Sequence, residues 1–199
     1  TMSFGAKEPG VTTTLSYEAM GRGLTFLTPP LTEPLEITGP VAAKLTLSSS
    51  TSDADVFLIL RVFDPKGQEV TFIGSNDPRT PVGLGWLRAS HRKLDSKRSL
   101  PYRPYHTHDE ALPLKPEEPV DLDIEIWPTS IVVPPGYRIG LSVRGKDYEY
   151  EGPPLVLEGV KYTLTGVGPF LHTHPQDRPP EVFDGVNTLH FAPGRQPYV

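Results

Sequence analysis

The chain has 199 residues, 37% of them hydrophobic and 22% charged, with a net charge of −5 and no cysteine. That length suits one domain with its own core, and the missing cysteine excludes a disulfide framework, a thiolate nucleophile and a cysteine metal site. The charges are mixed along the chain, so no basic groove for nucleic acid is indicated, and no apolar run approaches the ~20 residues of a membrane helix.

The 24 prolines and 18 glycines are too dense for long helices. Strand patterns dominate instead. Residues 1–22 read as an N-terminal arm or edge strand, and residues 23–199 as the body of the domain. Val41, Ala43, Leu45 and Leu47 alternate with Ala42, Lys44 and Thr46, the period of a strand with one buried face. Val56 to Phe63 is apolar on both faces except at Arg61, which predicts a central strand covered on both sides. Asp64-Pro65-Lys66-Gly67 predicts a turn, with Gln68 to Ile73 returning as a hairpin partner. Short helical turns fit near 91–100. Val120, Leu122, Ile124 and Ile126 alternate with Asp121, Asp123, Glu125 and Trp127, giving one apolar and one mostly acidic, solvated face. Pro134-Pro135-Gly136 marks another turn, before Ile139, Leu141 and Val143 alternate again. Val156 to Leu164 and Val186 to Phe191 complete the strands, and segments 74–83, 99–118 and 144–155 read as long loops. Short strands separated by proline-rich loops predict an all-β sandwich of jelly-roll type.

No serine has the Gly-x-Ser-x-Gly surroundings of an α/β-hydrolase nucleophile; at Gly74-Ser75-Asn76, Ile73 stands where the first glycine belongs. No phosphate-binding glycine loop or dinucleotide fingerprint occurs, and no cofactor is expected. Two pairs read His-Thr-His: His106 with His108, and His172 with His174. On a strand such a pair would share one side and could hold a metal; in proline-rich loops it serves more often as surface hydrogen bonding. Asp53 and Asp55 are candidates for a structural calcium or, more plainly, for a turn before the central strand. Trp86, Arg88, Ser90, His91 and Arg92 form a candidate docking surface, with Arg88, Ser90 and Arg92 on one strand face. Tyr102, Tyr105, Trp127, Tyr148 and Tyr150 are candidate exposed aromatics for a protein partner or a sugar, or else ordinary packing residues.

The series Phe26-Leu27-Thr28-Pro29-Pro30-Leu31, Leu35-Glu36-Ile37-Thr38-Gly39-Pro40, Ser49 to Asp55, Asp64-Pro65-Lys66-Gly67, Trp86 to Arg92 and Pro134-Pro135-Gly136-Tyr137-Arg138 resembles the X-Pro dipeptidyl-peptidase C-terminal domain. That domain ends the cocaine-esterase-like (CocE/NonD) α/β-hydrolases. The resemblance runs from about residue 20 to the C-terminus. It implies a galactose-binding-like jelly roll without chemistry of its own, packed on an α/β-hydrolase catalytic domain in cis that carries the Ser-Asp-His triad. It also implies that the domain helps wall the substrate cleft or supports a homo-oligomer. This chain has no position to receive the triad, so it is expected to be part of a larger serine hydrolase, an esterase or peptidase. A cytoplasmic location is expected, because cysteine is absent and residues 1–5 show no signal pattern, with secretion left open because the natural N-terminus is expected to lie elsewhere. Two other readings stand beside this one: a free-standing carbohydrate- or ligand-binding module, and a small metalloprotein using the His-Thr-His pairs.

Overall fold

The computed structural model describes residues 12–74, 77–153, 156–157, 159–161, 164–167 and 171–192. The chain forms β1 (Thr13–Glu18), β2 (Leu24–Leu27), β3 (Leu35–Ser49), β4 (Asp55–Phe63), β5 (Glu69–Val70) and β6 (Gly83–Arg88). A 3₁₀ turn (Ala89–His91) follows, then β7 (Val120–Val133), β8 (Arg138–Arg144), β9 (Val156–Leu157), β10 (Val160–Lys161), the single-turn helix α1 (Pro180–Phe183) and β11 (Val186–Phe191).

Two antiparallel sheets face each other, as the alternation predicts. The first runs β1-β11-β3-β7. In the second, β2, β8 and β4 lie side by side, and the far edge of β4 is shared by β6 and the short β5. β9 and β10 make a small separate hairpin. The inward residues of each strand are those that alternation selects: Leu45 and Leu47, Leu122, Ile124 and Ile126, Val56, Leu58 and Leu60, Ile139, Leu141 and Val143 are all buried. Burial of a Leu- or Val-sized side chain stabilises by roughly 1.5–3 kcal/mol, so this layer is what holds the sheets together.

β4 is indeed covered on both sides. Phe57 and Ile59 point away from the main core yet are buried, and Phe57 packs against His172 and under the guanidinium of Arg178. The turn after β4 forms as read: Asp64 Oδ1 accepts the amides of Lys66 and Gln68, and Gly67 takes a φ of +82°. The hairpin partner is shorter than expected, Glu69–Val70 rather than 68–73. The span 156–164, read as one strand, contains β9 and β10, with some of its residues outside those described.

Two details position the functional face. First, β3 pairs with β7 in a register that shifts between Gly39 and Val41, so that Trp127 and Pro128 together oppose Pro40. Neither proline has an amide to give the ladder, and a bulge is where a sheet tolerates them. The bulge turns both Trp127 and Pro128 outward. Second, β6 runs very close to β7. A Cβ on Gly85 would lie 2.3 Å from the Glu125 carbonyl oxygen, so glycine permits the seam at which the two sheets nearly meet.

Candidate functional site: an aromatic and histidine face

Along the β6–β7 seam lie two concavities. One, of about 540 Å³, is lined by Asp55, Arg88 and five of the six histidines: His91, His106, His108, His172 and His174. The other, of about 810 Å³, is more apolar and includes Phe72, Val82, Leu84 and Val167. Trp86, Trp127 and His172 line both. The indole of Trp127 is 62% exposed and stands edge-on to Trp86, with ring centroids 4.9 Å apart and planes at 70°. Tryptophan seldom sits so open on a surface that has nothing to cover it.

The floor of the first cavity is charged. Arg88 grips Asp55 with both nitrogens of its fork, at 2.8 and 3.0 Å. Arg178 Nε approaches the same carboxylate at 2.9 Å, while its two terminal nitrogens donate to the His172 and Gly145 carbonyls. Arg88 also donates to the Asp177 carbonyl and lies over the Phe183 ring. This network ties the 171–183 segment to the sheet. His172 is held by buried Asp147, which accepts its backbone amide at 2.6 Å and its Nδ1 at 2.9 Å.

The structure redistributes the residues singled out from sequence. Arg88, Ser90 and Arg92 do not share a strand face, because β6 ends at Arg88 and the 3₁₀ turn rotates the chain. Arg88 faces Asp55, Ser90 is buried with its amide on Asp53 Oδ1, and Arg92 donates to the Ala89 and Leu112 carbonyls. Asp53 Oδ1 also accepts the Ala54 amide, so this carboxylate caps the turn into β4. Both oxygens of Asp55 face guanidinium groups, which oppose a cation there. Tyr102 and Tyr105 are exposed on the 92–119 loop outside both cavities, with Arg98 stacked on Tyr105.

The His-Thr-His pairs behave differently from strand residues. His108 adopts a φ of +53°, and its Nδ1 lies 3.2 Å from His91 Nδ1, with His106 a further neighbour at 6.0 Å between centroids. Burial, and then the nearby His108, hold the His106 imidazole below its ordinary pKa. His172 turns to Asp147, and His174 accepts the Gln176 amide of its own turn. Among the described residues no three His, Asp or Glu side chains are grouped to hold a metal ion. The acidic face of β7 is only partly solvated: Asp121 accepts from Thr46, Asp123 pairs with Lys44, and Glu125 lines the histidine cavity.

Sequence reasoning missed Asp147 and Arg178, which lie in proline- and glycine-rich stretches with no periodicity to mark them. Trp127 carried a usable signal, since it occupies a solvent-face position in an otherwise acidic alternation.

A "Putative serine esterase" of Mycobacterium bovis and one of Mycobacterium tuberculosis are each 36% identical to this chain over 129 residues, which is 62% of this chain and 19% of each relative. Among solved structures, a CocE/NonD family hydrolase from Staphylococcus aureus superimposes with a TM-score of 0.75 at 23% identity, covering 95% of this chain and 32% of that one. An aminopeptidase from a marine sediment thaumarchaeote aligns with a TM-score of 0.59 at 16% identity, over 99% of this chain and 33% of its own. An alpha-amino acid ester hydrolase gives 0.55 at 17% identity, covering 97% and 32%. The chain thus spans about a fifth of the mycobacterial relatives and about a third of these structures. Residues 4–199 match the sequence profile of the X-Pro dipeptidyl-peptidase C-terminal non-catalytic domain, and the chain belongs to that family.

Proposed function

We propose that this chain is the accessory C-terminal domain of a CocE/NonD-type serine hydrolase acting on ester or amide bonds. In this reading the face around Trp127 packs on the α/β-hydrolase catalytic domain and helps wall its substrate cleft. The observation that carries it is Trp127 itself, bulged outward, 62% exposed and flanked by two concavities that share it. The occupant is a catalytic domain in cis because the solved relatives are about three times as long as this chain. The face combines an aromatic anchor with a charged rim, the composition of a protein interface.

Trp86 and Trp127 are the only tryptophans in the sequence, and both lie on this face. The chain labelled with 5-fluorotryptophan therefore reports directly on it. Mixed with the separately expressed upstream region, the Trp127 ¹⁹F signal shifts and loses its response to a soluble paramagnet. A Trp127 signal that stays fully solvent-accessible in the complex sinks the reading. The chain alone hydrolyses p-nitrophenyl acetate no faster than buffer, and turnover above a denatured control opposes a purely accessory role.

The same exposed indole above a polar cavity supports a second reading, a carbohydrate-binding module. Glycan-array hits lost in Trp127→Ala favour it over docking.

A further inference from the structure

On the same outer face of the second sheet, beyond Phe57, lies a third concavity, of about 440 Å³, which shares no residue with the two above. Arg144, the last residue of β8, lines it and is only 6% exposed. Its Nε is buried with no hydrogen-bond partner, and no carboxylate pairs with it among the described residues. The neighbouring glutamates are all engaged elsewhere. Glu69 takes Arg61 through both oxygens at 2.8 and 2.6 Å, Glu149 pairs with Lys146 at 2.8 Å, and Glu151 pairs with Arg22 at 2.5 Å. Four cations thus meet three carboxylates, and the surplus positive charge is the buried one.

Arginine cannot shed its proton in a protein, so an unpaired buried guanidinium carries its desolvation cost permanently. Burial and the charge of Arg61 push its pKa down, and Glu151 and Glu149 offset this only in part. The Tyr148 hydroxyl at the same concavity is buried beside Glu69, and burial, with the charge and hydrogen bonding of Glu69, keeps it protonated. Thr25 and Ser142 add hydroxyls, bonded to each other at 2.7 Å.

We infer that the concavity around Arg144 is an oxyanion-binding site, taking a small carboxylate- or phosphate-bearing molecule whose charge completes the Arg144 pairing. Guanidinium forks match both groups through paired hydrogen bonds.

The test is titration of the chain, ¹⁵N-labelled at arginine, with sodium phosphate and with sodium acetate, against sodium chloride at equal ionic strength. The Arg144 Nε–H resonance shifts saturably with phosphate and acetate and not with chloride, and phosphate raises Tm as a ligand specific to the folded state does. In Arg144→Gln the phosphate-dependent rise in Tm disappears. Glu151→Gln, an exposed change that leaves the core intact, tightens phosphate binding several-fold by removing a rim charge. An Arg144 signal unmoved by both oxyanions, or a phosphate response indifferent to both substitutions, overturns the inference. Repeating the titration with the upstream region present separates the sources. A retained phosphate response assigns a free small molecule. A lost response, with the Arg144 signal already at its oxyanion-bound position, assigns a carboxylate of the remaining protein.

Discussion

Arg178 and Arg144 are buried to nearly the same extent, 4% and 6% exposed, on one sheet surface, where Arg144 pairs across the strands with Phe57, the ring that lies under Arg178. Arg178 lies against Asp55, donates to two backbone carbonyls and packs over Phe57. Arg144 has none of these partners among the described residues. The first is charge-paired and pins the 171–183 segment to the sheet, even though Arg178 Nε makes no hydrogen bond. The second has no carboxylate against it among the described residues. The contrast teaches that burial alone does not distinguish the two arginines: a facing carboxylate and two backbone carbonyls make Arg178 architectural, and Arg144 has neither among the described residues.

The sharpest way to break the comparison is Asp55→Ala. It strands two guanidiniums at once, and removing one partner of a buried pair costs about 3–5 kcal/mol. Urea unfolding measures it, and a loss below about 1 kcal/mol would mean that Asp55 does not anchor the 171–183 segment. A somewhat smaller effect is expected from Gly85→Ala. The new methyl meets the Glu125 carbonyl and pries β6, with Arg88 on it, away from β7. Overpacking of this kind costs about 1–3 kcal/mol, again read by urea. Arg144→Met, in contrast, removes a charge that nothing balances. In phosphate-free buffer it is expected to be neutral or stabilising by about 1 kcal/mol. A destabilisation comparable to that of Asp55→Ala would show that Arg144 has a structural partner and would erase the distinction.

The sandwich was legible because hydrophobic alternation is a local property. Leu122, Ile124 and Ile126 announce their face in the sequence, and so do Val56 to Phe63 with both faces apolar. The two arginine sites of the outer surface were not legible, for a physical reason. Asp55, Arg88 and Arg178 are separated by up to 123 positions and meet only after the sheets form. Arg88, Ser90 and Arg92 do not share a face because strand alternation stops at the end of β6, and the backbone at Arg92 is already helical. The histidine pairs were noticed, but their convergence on one cavity with His91 depends on the 92–119 loop folding back, which no spacing rule describes.

His106 supplies the smallest and most discriminating test, because it is a half-buried cation site that can discharge itself. Its Nε2 is buried without a partner, His108 and His91 stand beside it, and the backbone and carboxylate of Asp123 are the counterweights. Burial and these imidazoles hold its folded pKa below the unfolded value of about 6.5. The folded state therefore binds fewer protons than the unfolded chain once pH drops below about 6.5, and stability falls with acidification from there while staying level above it. Urea unfolding at stepwise pH between 7.5 and 5.5 is expected to show this decline, shallower in His106→Gln than in the parent chain. Identical slopes would place the sensitivity elsewhere. Arg144, fixed in its charge, gives no such slope in the same range. The protein relieves one half-buried cation by letting its proton go, and the other only by finding an oxyanion.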